Sequence, residues 1–207
     1  MNPGSPRAPA GICENGEVSF SVLFVCTGNI CRSPAAERLF RARLPAGADV
    51  TVSSAGTQGL VGRPMDGPSA LALRELGVDA DRHVARRLTR RLIDEADLIL
   101  TASEEHRSVV LHEAPLMLAK TFTLLEFARL GAGLAGRDGS APNEVPTADQ
   151  LRTRAAEVAG QRGIAEPAAR GQDDVADPFG GSLDVARASV TAVSDAVDRV
   201  LVALGLA

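Results

Sequence analysis

The stretch Val22-Leu23-Phe24-Val25-Cys26-Thr27-Gly28-Asn29-Ile30-Cys31-Arg32-Ser33-Pro34 joins a short apolar run to the start of a helix. Residues 21–25 (SVLFV) have the length and composition of a buried strand, ended by Thr27-Gly28-Asn29. Residues 34–44 read as a helix, with Ser33 as N-cap and Pro34 at the first helical position, where its missing N–H costs nothing. A loop between a buried strand and a helix N-terminus is where parallel α/β sheets bind ligands. Successive backbone N–H groups there curl into an anion-binding nest, and the helix dipole adds positive character.

The side chains of this loop suit phosphate chemistry. Gly28 permits close backbone approach, and Asn29 tolerates the left-handed conformation that a tight curl requires. Arg32 can reach back with two parallel N–H donors to phosphate oxygens. A cysteine at the mouth of such a nest, Cys26, is expected to be a thiolate nucleophile at neutral pH. The spacing of Cys26 and Arg32 alone is a weak signal; the strand before and the helix after make it a strong one.

Outward from the loop, strands and helices alternate. Residues 49–53 (DVTVS), 97–102 (DLILTA) and 121–124 read as three more short strands. Helices are expected over 69–76, closed by Gly77, and over 89–95, 104–113 and 125–130. Val190, Val193, Val197, Val200, Leu201 and Leu204 share helical spacing, so the chain is expected to end in a long amphipathic helix. This rhythm predicts an α/β fold, a three-layer αβα sandwich around a four-stranded parallel sheet. Residues 131–174 break the rhythm, being rich in Gly, Ala, Pro and Arg and too long for an ordinary connection. A helix is expected within them over 148–159, where Thr147 and Gln150 form a capping-box pattern. They read as a surface insertion, with a lid or a partner-docking role as the alternative. The domain plan is thus a flexible tail over 1–17 and a single domain over 18–207 carrying that insertion.

Composition narrows the classes. The chain has 207 residues, 45% of them apolar but only 3% aromatic, with no Trp and no Tyr. Aliphatic residues must therefore fill the core. Net charge is -4, and all but one of the basic residues are Arg. A mildly acidic chain has no general attraction to nucleic acid or anionic membrane, so anion binding must be local. No apolar run reaches the ~18 residues of a membrane span, and residues 1–17 lack the apolar stretch of a secretory signal. Three cysteines do not make a disulfide framework, and the expectation is a reduced, cytoplasmic, monomeric protein with no membrane insertion.

The loop CTGNICRSP resembles the low-molecular-weight protein tyrosine phosphatase family, and the resemblance runs from Ser21 to the C-terminus apart from residues 131–174. It implies hydrolysis of phosphotyrosine in protein substrates, possible partnership with a tyrosine kinase system, a cysteinyl-phosphate intermediate, and no metal or other cofactor. It makes Cys26 the nucleophile and Arg32 the phosphate ligand. Thr27, Gly28, Asn29, Ile30, Cys31 and Ser33 complete the phosphate-binding loop, with Ser33 hydrogen-bonded to the Cys26 sulfur. The family's Asp-Pro is matched by Asp177-Pro178-Phe179-Gly180, which makes Asp177 the general acid. A phenolate leaves better when protonated, so the chemistry requires such a group. Asp173 and Asp174 are rivals that do not precede Pro. Ser54, in Ser53-Ser54-Ala55-Gly56, and His83 resemble the family's supports for the loop asparagine, here Asn29. Cys31 either packs under the loop or, as in many family members, forms a reversible disulfide with the nucleophile. Cys13, His106 and His112 receive no role.

Two departures bear on substrate. The family's aromatic near Gln58-Gly59-Leu60-Val61-Gly62 is missing, and Phe179 stands where the family often has Tyr. Three rival functions arise. A protein arginine phosphatase of the same family shares Asp-Pro-Phe-Gly-Gly-Ser but usually has Thr where Ile30 stands. An arsenate reductase needs further cysteines, and none comes after Cys31. A non-catalytic phosphate-binding module would be expected to have lost Cys26, Arg32 or Asp177.

Overall fold

The computed structural model describes residues 19–134 and 145–207. The expected tail over 1–17, with Cys13, lies outside the described residues, as does 135–144 of the expected insertion. Four parallel strands, β1 (Phe20–Cys26), β2 (Val50–Gly56), β3 (Leu98–Thr101) and β4 (Thr121–Thr123), pair in the order β2-β1-β3-β4. Side chains alternate between the two faces of a strand, and the core divides accordingly. Phe20, Val22 and Phe24 of β1 enter the larger cluster, with Leu39, Phe40, Phe127, Val193 and Val197. Leu23 and Val25 enter the smaller one, with Ile93, Ile99 and Val110.

Four helices cover the first face: α1 (Arg32–Arg43), α2 (Gly67–Glu75), α5 (Leu124–Gly131) and the last helix, α7 (Leu183–Leu204). The short α3 (Arg90–Asp94) and α4 (Glu104–Glu113) cover the second. The sheet is therefore the middle of three layers. No helix among the described residues is long and apolar enough to cross a membrane.

Three local expectations need correction. β2 runs on to Gly56, because pairing with β1 continues through Val25↔Ala55 and Cys26↔Gly56. α2 starts at Gly67 rather than 69, capped by Asp66, whose carboxylate accepts from Ser69 N. Helix α1 starts at Arg32, and Ser33 is not its N-cap. The Ala35 N–H bonds the Cys31 carbonyl at 3.1 Å, and the Ser33 hydroxyl is occupied elsewhere.

The described part of the expected insertion is not a surface appendage. It forms α6 (Ala148–Gly160), with the Thr147–Gln150 capping box read from the sequence. Leu151 and Val158 of α6 are fully buried in the larger cluster. Arg152 donates to Asp97 Oδ1 at 3.0 Å and to the Ser19 carbonyl at 3.3 Å. Helix α6 thus closes the end of the sheet where β1 and β3 begin, opposite the Cys26 loop.

Candidate active site

The loop from Cys26 to Arg32 leaves the C-terminal end of β1, held between the segments that leave β2 and β3. Asn29 takes a φ of 56°, the left-handed conformation expected of it. From the β2 side, Gln58 N donates to the Thr27 carbonyl at 2.9 Å and Leu60 N to the Gly28 carbonyl at 3.0 Å. This approach requires Gly56. A Cβ there would overlap the Thr27 carbonyl oxygen and lie 2.9 Å from Asn29 N.

A chain of polar side chains runs beneath the loop to the Cys26 sulfur. Asn29 Nδ2 donates to Ser33 Oγ at 3.0 Å and to Ser54 Oγ at 2.8 Å. Ser54 donates in turn to Glu37 Oε2 at 2.6 Å. The Asn29 amide nitrogen has only protons to give and Glu37 takes the one on Ser54, which sets the direction of that branch of the chain. Ser54 spends its proton on Glu37, Ser33 accepts from Asn29, and the Ser33 hydroxyl faces two acceptors, Cys26 Sγ at 3.0 Å and the Ala55 carbonyl at 3.4 Å. His83 Nε2 donates to the Asn29 carbonyl at 2.6 Å, and Arg86 N donates to Asn29 Oδ1 at 2.9 Å. Burial holds the His83 imidazole below its ordinary range, which favours the neutral ring.

Arg32 and Asp177 meet above the sulfur. The Arg32 Nη2–Asp177 Oδ2 distance is 2.8 Å, with Arg32 buried and Asp177 half exposed. Arg32 Nη1 donates to the Val175 carbonyl at 3.2 Å, while its buried Nε has no partner among the described residues. The Asp177 segment is irregular, yet it is tied down at each step. Val175 N bonds the Ala102 carbonyl at 2.8 Å, and Thr123 Oγ1 bonds the Asp173 carbonyl at 2.7 Å. The two rival aspartates are engaged elsewhere: Asp173 with Arg129 at 2.6 Å and Asp174 with the Glu104 N–H at 2.8 Å.

Cys26, Thr27, Gly28, Ile30, Cys31, Arg32, Leu60, Asp177 and Phe179 line one cleft of about 200 Å³. A larger cleft of about 310 Å³ lies between α4, α5 and residues 162–173. Its charges are spent on one another, Arg129 on Asp173 and Arg162 on Glu126, so it is an ion-pair seam. Cys31 is buried, and burial pushes its thiol up to about 12. A disulfide with Cys26 would need that thiol to ionise against its surroundings.

Two participants in the site have no role in the sequence reading, Glu37 and His106. His106 is buried at 5% exposure. Its Nε2 shares a 2.8 Å hydrogen bond with Thr27 Oγ1, and its Nδ1 shares one of 2.6 Å with Ser103 Oγ. Burial, then the Arg32 charge, hold it below its ordinary range, so the ring in contact with the loop is neutral. The signal that could have found it is spacing: His106 and Val110, four residues apart, form the buried stripe of α4, which Ala114 continues at its C-cap.

A thiol and a guanidinium on a nest between a parallel strand and a helix, with a carboxylate above, define a phosphate-handling α/β protein. Residues 21–135 match the family model of the low molecular weight phosphotyrosine protein phosphatases, and the chain belongs to that family. It is 46% identical over 101 residues to the low molecular weight protein-tyrosine-phosphatase Etp of Escherichia coli K12. That match covers 49% of this chain and 66%, just under two thirds, of the relative. It is 29% identical over 180 residues to a protein-arginine-phosphatase of Geobacillus stearothermophilus, covering 87% of this chain and 93% of the relative. Among solved structures, a low molecular weight protein tyrosine phosphatase from T. tengcongensis superposes with a TM-score of 0.64 at 29% identity. That superposition covers 88% of this chain and 98% of the other.

Proposed function

We propose that this chain hydrolyses phosphotyrosine in proteins through a cysteinyl-phosphate intermediate. The observation that carries the reading is the meeting of Cys26, Arg32 and Asp177 in one cleft, with a Ser33 hydroxyl 3.0 Å from the sulfur. The substrate phosphate displaces Asp177 from Arg32 and is held by the guanidinium and the loop N–H groups. The Cys26 thiolate attacks phosphorus; the S–P bond forms, the P–O bond to the ring breaks, and Asp177 gives its proton to the departing phenolate oxygen. Water then attacks phosphorus, Asp177 takes its proton, the S–P bond breaks, and phosphate leaves. The Ser33 hydroxyl stabilises the sulfur as it regains charge. Thr27, Gly28, Asn29, Ile30 and Cys31 form the cradle, and Ser54 and His83 support it through Asn29.

Ile30, Leu60 and Phe179 give the cleft apolar walls suited to an aryl ring. Leu60 stands close to where the sequence lacks the family's aromatic, and Phe179 is 64% exposed opposite the loop. The reading extends to phosphotyrosine proteins of a kinase system as partners, to the cytoplasm as location and to a monomer. A second reading, hydrolysis of phosphoarginine, is favoured by one observation: the arginine phosphatase relative aligns with far more of this chain than Etp does. Matched phosphotyrosine and phosphoarginine peptides separate the two. Preference for phosphotyrosine, shifted toward phosphoarginine in Ile30→Thr, supports the first. Wild-type preference for phosphoarginine selects the second. Release of phosphate by Cys26→Ser at more than about a tenth of the wild-type rate would remove Cys26 as nucleophile.

A further inference from the structure

β1 lies between β2 and β3, so the phosphate loop sits between the segments that leave those two strands. After β2, residues 57–63 wrap the loop and are themselves laced to residues 85–88. Gly62 N bonds the Ala85 carbonyl at 2.9 Å, Ala85 N the Arg63 carbonyl at 2.8 Å, and Leu88 N the Gly56 carbonyl at 2.7 Å. This lacing holds Arg63 and Arg87, both exposed, on the two segments that flank the phosphate loop on its β2 side. They belong with a stretch, residues 82–91, that holds Arg82, Arg86, Arg87, Arg90 and Arg91 and no acidic residue. Arg90 and Arg91 are paired with Asp94 and Glu95, and Arg86 Nε donates to the Ser54 carbonyl. The Arg63 and Arg87 side chains have no ion pair or hydrogen bond with any described residue.

The other side of the mouth carries the opposite charge. After β3 come exposed Glu104 and Glu105, with Asp174 bonded to the Glu104 N–H and Asp177 beyond it. On a chain of net charge -4, the mouth is therefore electrically two-sided. Exposed Leu60 lines the cleft, and exposed Val61 follows it in the segment that leads to Arg63. Guanidiniums with no partner among the described residues are open to one from outside, and their complement is carboxylate.

We propose that Arg63 and Arg87 are a docking rim for acidic residues on one flank of the phosphorylated residue in a substrate protein. Glu104, Glu105 and Asp174 disfavour acid on the other flank, so the rim also fixes the direction in which the substrate lies. This deepens the phosphatase reading and rests on it.

The test uses two phosphotyrosine peptides of identical composition, one acidic before and basic after the phosphotyrosine, the other reversed. Because their net charges match, general attraction or repulsion cancels. Two measurements are made: kcat/KM with the wild type, and affinity for Cys26→Ser by fluorescence anisotropy. One isomer should be favoured about three- to tenfold at low salt, as expected of two or three exposed ion pairs, and the advantage should shrink as salt rises. The double variant Arg63→Glu/Arg87→Glu should abolish or invert it, with kcat on a small aryl phosphate at saturating substrate unchanged. Should that variant fail to fold, Arg63→Gln/Arg87→Gln must still reduce the preference. Equal binding of the two isomers, or a preference that survives these changes, overturns the rim. Wild type that releases phosphate from no aryl ester overturns the phosphatase reading instead, while the anisotropy comparison still reads the rim.

Discussion

Arg32 holds Asp177 at 2.8 Å, and on the proposed mechanism both must let go before either can act. The phosphate takes the guanidinium, and the carboxyl is then free to carry the proton that the leaving group needs. Asp177→Ala should therefore move two quantities in opposite directions. Hydrolysis of alkyl-like, poor leaving groups should fall by about 10²–10⁴, the usual worth of general acid catalysis, and that of nitrophenyl phosphate much less. Affinity for inorganic phosphate should rise, because a competing negative charge has gone from beside Arg32. Steady-state kinetics on the two kinds of ester and calorimetry with phosphate check both. Equal losses on both esters, or weaker phosphate binding, would remove Asp177 from this role.

Helix α6 shows how a segment far from the chemistry holds the fold. Arg152 links it to Asp97 at the start of β3 and to Ser19 before β1, and Asp97 also accepts from Ser21 N at 3.0 Å. Burial would raise the Asp97 carboxyl, but hydrogen bonds from Arg152 and Ser21 outweigh it and leave it below its ordinary range. Arg152→Ala strips the main partner from a mostly buried carboxylate and should cost about 1–3 kcal/mol of stability. Activity at 25 °C should be unchanged, since α6 lies at the opposite end of the sheet. Thermal unfolding and aryl phosphate turnover measured on the same sample test this; loss of activity without loss of stability would contradict it. The capping box of α6 is legible in the sequence because Thr147 and Gln150 act over three residues. The same holds for β1, the loop and the left-handed Asn29. Legibility fails where the partner is distant in sequence. Arg152 with Asp97, Glu37 with Ser54 and His106 with Thr27 become neighbours only when the sheet assembles. Ser33 shows the related failure: a good N-cap by local rules, it lies inside α1, which starts at Arg32, and its hydroxyl sits 3.0 Å from the Cys26 sulfur.

The molecule as a whole should lose stability on mild acidification. His83 and His106 are both held below their ordinary range, by burial first, and each braces one side of the phosphate loop. A histidine depressed in the folded state is protonated in the unfolded chain before it is in the native one. Its contribution is therefore complete above about pH 6.5 and is lost as pH falls through the lower, folded value. Asp97 is depressed too, but its contribution persists down to about pH 4 and is lost only below that. The melting temperature should thus stay level from pH 8 to about 6.5, decline toward pH 5, and fall again below 4. Groups around His106 set the size of the first decline: Arg32 opposes its protonation, while Glu105, Asp177 and Asp174 favour it. His106→Gln replaces the ring by an amide that can still reach Thr27 but does not titrate, so the decline between pH 6.5 and 5 should be shallower in that variant. Phosphate affinity in the variant should stay within about threefold of wild type at pH 7.5, because the amide keeps the loop contact. Calorimetric melting of wild type and variant across this range measures the difference; identical slopes would show that His106 is not a source of the acid sensitivity.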